Sequence, residues 1–117
     1  MNHIDDITTI HGNAIREAVT KFLVPLQTTR IIRRDAFEEL SNAVRALARA
    51  LKGHDLVPKS LLNEIYTTMQ VLRNEAPHFR GETAALEDMA NQLEVILGLV
   101  LVGESPDDRV PGVPRTI

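Results

Sequence analysis

Carboxylates are the side chains in this chain that come nearest to a catalytic pattern. Glu38-Glu39, Glu64, Glu75 and Glu87-Asp88 all fall in helix-forming stretches. Magnesium-dependent all-α hydrolases hold their cation with acidic pairs repeated on two adjacent helices, because a hard divalent ion takes several oxygen ligands at once. Here the acids are scattered, and Glu38 is placed to cap a helix beginning at Asp35. A magnesium hydrolase therefore stands as an alternative reading only.

Other chemistries find less support. A metal site inside a helical bundle uses Glu-x-x-His pairs. None of His3, His11, His54 and His78 follows a Glu by three, and no His-x-x-x-His occurs. His11 reads as a rim or core histidine. There is no Cys, which excludes disulfides, thiolate metal ligands and cysteine nucleophiles. Phosphate-cradling glycine motifs are absent. Ser41, Ser60 and Ser105 lack the Gly-x-Ser-x-Gly turn that exposes a nucleophile. No catalytic residue, metal or cofactor is expected.

Cations are better organised. Arg45, Arg49 and Lys52 recur at i, i+4 and i+7 on one helix flank, and Arg30, Arg33 and Arg34 precede them. Together they form a strip suited to an acidic protein partner or to phosphate. The plainer reading is a solvated flank, paired with Glu38 and with acids of the last helix. Residues 16–59 carry nine basic and five acidic side chains, whereas residues 61–117 carry four and nine. Two halves so charged attract each other inside one fold. A net charge of −3 and the lack of aromatic residues among the cations argue against nucleic acid. Arg73 lies on a core line, where it either snorkels outward or pairs with Glu94 or Glu87.

The elements that position these groups are helical. A first helix is expected between Asp5 and Leu23, with acids in its first turn, where negative charge is favoured. Gly12-Asn13 is its weak point, and Pro25 is expected to end it at Val24. Residues 24–34 then form a connection with Ile31 and Ile32 tucked beneath the bundle. Asp35 to Glu38 reads as a capping box opening a second helix, whose stripe is Phe37, Leu40, Val44, Leu47 and Leu51. Lys52-Gly53 stops it. A third helix starts near Pro58, with Leu62, Ile65, Met69 and Leu72 as its stripe and Leu61 and Tyr66 flanking. Pro77 ends it.

Thr83, as cap, opens the fourth helix, which runs to Val102. Leu86, Met89, Leu93, Ile96, Leu97 and Val100 make its core face. Beyond Glu94, the residues Val95, Leu99 and Val102 line the opposite face as well. After Gly103 three prolines give an extended arm carrying Val110, Val113 and Ile117.

These elements predict an all-α four-helix antiparallel up-down bundle over residues 1–103, with a Pro-rich extended C-terminal arm over 104–117. With no Trp and three Phe, its core must be aliphatic. No apolar run reaches the roughly 20 residues of a membrane span. The first residues, MNHIDDITT, lack the basic and apolar regions of a secretory leader, so a cytoplasmic setting is expected.

The function expected is non-catalytic protein binding. A small bacterial inhibitor of immunity or antitoxin type is its most concrete form. Val95, Leu99, Val102, Val110, Val113 and Ile117 are the expected self-association surface, as a homo-oligomer. Arg30, Arg33, Arg34, Arg45, Arg49 and Lys52 are expected to face an acidic protein partner.

Overall fold

The computed structural model describes residues 3–108. Its four helices are α1 (His3–Thr28), α2 (Arg34–Leu51), α3 (Lys59–Glu75) and α4 (Thr83–Leu101). Short 3-10 turns lie at Ala76–His78 and Pro106–Asp108.

Helix α1 is longer than the sequence predicts. It continues through Pro25 instead of ending at Val24. An interior proline forfeits one backbone bond, at a cost of about 3 kcal/mol. The last turn survives because Leu26 is fully buried. The amides of Thr29 and Ile31 both donate to the Pro25 carbonyl, and the Thr28 and Thr29 hydroxyls donate to the carbonyls of Val24 and Pro25. Arg30, at φ 58°, then breaks the helix in the left-handed region. The connection is thus shorter than expected, and Ile31 is exposed while Ile32 packs on the core. Nor does Gly12 interrupt α1. A Cβ there would meet Arg16 Nη1 at 3.1 Å and Leu61 Cδ2 at 3.4 Å, so this turn of α1 lies against α3.

In α2 the predicted stripe is the observed one: Phe37, Leu40, Val44, Leu47 and Leu51 are all buried. Its expected capping box is not formed. Arg33 occupies the cap position with no side-chain cap bond. Asp35 is taken instead by the Arg33 guanidinium through two bonds of 3.0 and 2.8 Å. That fork holds the Asp35 carboxyl down at about 2.

Helix α3 buries Ile65, Met69 and Leu72 of the predicted stripe but is rotated slightly, so that Leu61 is buried in place of Leu62. Leu61, Ile65, Thr68, Met69 and Leu72 face inward, and Leu62 is only half-buried. Leu61 packs beside Gly12 of α1. Thr68 is tolerated inside because its hydroxyl donates to the Glu64 carbonyl at 2.9 Å. Thr83 opens α4 without capping it. Its hydroxyl reaches back to the carbonyls of Ala76 and Phe79 and ties the preceding turn together.

The helices form two antiparallel hairpins, α1 with α2 and α3 with α4. The hairpins stack so that α2 lies along α4 and α1 along α3. Both cross-hairpin neighbours run parallel. Arg34 meets Glu82 where α2 and α4 begin, and Gly53 meets Gly103 where they end. Leu61 likewise faces Gly12, and Glu75 pairs with Arg30. The core between the hairpins is aliphatic, with Phe22 and Phe37 packed ring to ring, 5.4 Å between centroids.

The rotation of α3 has a direct test in urea unfolding. Leu61→Ala is expected to cost about 2–5 kcal/mol, and Leu62→Ala clearly less. Equal losses at the two positions would contradict the observed phase.

Candidate docking surface

The far ends of α2 and α4 are joined by a small backbone clasp. Gly53 and Gly103 both take left-handed φ, near +77° and +75°, which lets each helix turn away sharply. The Gly53 amide donates to the Gly103 carbonyl at 3.2 Å. The chain then doubles back: the Glu104 amide donates to the Leu99 carbonyl at 2.9 Å, and the Pro106–Asp108 turn lies against α2. The first residues of the expected extended arm are therefore folded.

This return splits the predicted apolar face. Leu99 is 2% exposed, in a groove of about 240 Å³ that it shares with Val95, Ile96, Arg45 and Pro106. Val95 and Val102 remain 56% and 46% exposed. Leu99 is thus withdrawn from any free surface by the chain's own turn. Val110, Val113 and Ile117 lie outside the described residues. Two exposed residues escape a reading of the sequence. Leu101 is 65% exposed at the end of α4, and Leu56 is 70% exposed in the loop beside it. The all-round apolar character of the helix end is the available signal for Leu101. Gly98 lies between Val95 and Val102, and a Cβ there would meet nothing within 4 Å. No packing among the described residues requires glycine at that position.

Five of the six expected partner-binding cations have carboxylate partners inside the chain. Arg30 pairs with Glu75, Arg33 with Asp35, and Arg34 with Glu82 at 2.6 Å. Arg49 pairs with Asp107 at 2.9 Å and Lys52 with Asp108 at 2.5 Å. Arg45 makes no ion pair among the described residues. Four of these pairs link the basic half to the acidic half, although the partners on the α2 flank are Asp107 and Asp108, not Glu38. Exposed pairs contribute little each. Their effect here is to hold the turn over Leu99. Arg73 pairs with Glu94 and also donates to Asn91, both at 3.2 Å.

The turn is an electrostatic latch. Asp108 accepts from Lys52 and from the amide and hydroxyl of buried Ser105. The Lys52 bond, then the Ser105 amide, hold its carboxyl below the ordinary carboxylate value, and the same pair raises Lys52.

No three potential metal ligands converge among the described residues. His11 is partly buried, which lowers its pKa. Among the described residues no helix is long and apolar enough to cross a membrane. Comparison with family models, with characterised proteins and with solved structures finds no match to this chain.

A depressed carboxyl stabilises the fold above its unfolded pKa and loses that contribution as pH falls through its folded value. The turn is therefore expected to loosen as pH drops below the ordinary Asp value of 3.8. A raised lysine is lost at the opposite end, as pH climbs past its ordinary 10.5. Amide exchange at Glu104 and Asp108 reads both limits. Asp108→Asn should speed exchange at neutral pH. Exchange that stays unchanged in the variant would remove the latch.

Proposed function

We propose that this chain is a non-catalytic protein-binding helical module that pairs with a second copy through the outer face of α4. The observation that carries this reading is the exposure of Val95, Leu101 and Val102 within the last two turns of a single helix. Clustered exposed aliphatics on a small domain mark interaction surfaces. Gly98 supports the same reading. An interior glycine costs about 1 kcal/mol against alanine. A crossing helix gains close backbone approach there. A two-fold pair uses one patch on both copies, so no second surface is needed.

Its more specific form is a small bacterial inhibitor of immunity or antitoxin type, acting in the cytoplasm. Such a protein requires a stable scaffold and a docking face, with no catalytic machinery. A gene for a large toxin-like protein beside this one would support that form. An acidic partner on the α2 flank would have to displace internal carboxylates at Arg49 and Lys52.

Sedimentation equilibrium across micromolar to millimolar protein tests the pairing. Wild type is expected to dimerise, and Val95→Glu and Val102→Glu to remain monomeric with little change in thermal stability. Leu99→Glu is the wrong probe, because it would bury a charge. Gly98→Ala is expected to raise monomer stability by about 1 kcal/mol while weakening the dimer. A wild-type monomer at the highest concentration overturns the reading.

A further inference from the structure

A second feature, independent of the α4 outer face, lies between α2 and α4. The two helices enclose an open cleft of about 290 Å³. Phe37 and Met89 line its apolar part, and Ser41, Arg45, Glu38 and Asp88 its polar part, together with Arg34, whose guanidinium is engaged by Glu82.

Ser41 is the anomaly. It is 5% exposed, and its Oγ is buried without a hydrogen-bond partner among the described residues. A helical hydroxyl usually settles by donating to the carbonyl four residues back. Thr20, Thr28, Thr29 and Thr68 all do so here. Ser41 has the Phe37 carbonyl in the same position and leaves it unused. A buried hydroxyl without a partner has given up its bonds to water and gained none in return. Alanine would fill the site and favour the helix.

Arg45 stands one turn beyond Ser41 on the same face of α2, and it is the one member of the cationic strip without an internal carboxylate among the described residues. It lines both this cleft and the neighbouring groove. Across the cleft, Asp88 accepts from Gln92 at 2.8 Å and keeps acceptor capacity. Glu38 makes no ion pair among the described residues. The lining thus offers a cation beside a hydroxyl, two carboxylates, and an apolar floor.

We propose that this cleft binds a free apolar α-amino acid. The ligand carboxylate meets Arg45 and the rotated Ser41 hydroxyl. Its ammonium meets Asp88 and Glu38, and its side chain covers Phe37 and Met89. A simple anion fits less well, because the two carboxylates oppose it. A simple amine is opposed in the same way by Arg45. The ligand must carry both charges. Binding satisfies Ser41 through a turn about a single side-chain bond.

Calorimetric titration of the full chain with leucine, methionine and phenylalanine tests this, with thermal shift alongside. At least one is expected to bind and raise Tm. Its deaminated acid and its decarboxylated amine are each expected to bind at least about tenfold more weakly, the value of one charge-assisted bond. Arg45→Gln should weaken binding by at least about the same factor. Ser41→Ala should raise the Tm of the free protein and weaken binding about three- to tenfold, two effects of opposite sign. If Ser41 were only a helix residue, the variant would gain stability without any effect on binding. No heat and no Tm shift with any of the three at 10-millimolar order, or equal binding by acid or amine alone, overturns the proposal. Because the readout is ligand binding, a negative result leaves the sedimentation test of the α4 face untouched.

Discussion

Burial of the inner stripe of α2 is the interaction on which the rest of the molecule depends. Phe37, Leu40, Val44, Leu47 and Leu51 are shut off from solvent, and the helix packs on α1 along one side and α4 along another. The same helix receives the returning turn on its outer flank through Arg49 and Lys52. Each buried aliphatic contributes about 1.5–3 kcal/mol. Small residues make the geometry possible: Ala36 and Ala48 are buried among the larger ones, so neighbouring helices approach closely. With no Trp, the core fills by interdigitation of branched side chains with Phe22, Phe37 and Phe79.

The fold class was legible from apolar periodicity because periodicity records burial, the strongest force driving the chain to fold. The α2 stripe transferred directly to the structure, and the α4 stripe did so apart from Leu97, which is half-buried, and Leu99, which is buried although expected on the opposite face. Features decided by smaller energies did not. Pro25 reads as a stop, yet Leu26 and two threonine hydroxyls carry α1 past it. Asp35 reads as a cap, yet a neighbouring guanidinium binds it more strongly than an orphan amide does. Whether Leu61 or Leu62 is buried depends on the helices that α3 packs against, and no reading confined to α3 contains that information. The parallel arrangement of α2 and α4 is likewise a matter of how hairpins stack, which local pattern does not record.

Candidate surfaces were partly legible for the same reason. An apolar excess at the end of α4 is visible as composition, and three of its members do remain exposed. Which of them stay exposed depends on the path of residues 103–108. Asp107 and Asp108 take up two cations of the α2 flank and bring Pro106 beside Leu99. Ser41 carried no signal in the sequence, since a serine within a helix is unremarkable until its hydroxyl is found without a partner.

The parallel course of α2 and α4 has an electrical consequence. Aligned peptide dipoles leave the C-terminal end of a helix with about half a negative charge. Two such ends lie side by side at the Gly53–Gly103 clasp, with their nearest cation, Lys52, already engaged by Asp108. That pole is therefore more negative than a count of side chains conveys, and it is also where Leu101 protrudes. Copies meeting pole to pole would crowd four negative ends together. A two-fold pair crossing at Gly98 would set both α4 ends within a turn of the crossing, so its apolar contact would have to outweigh their repulsion.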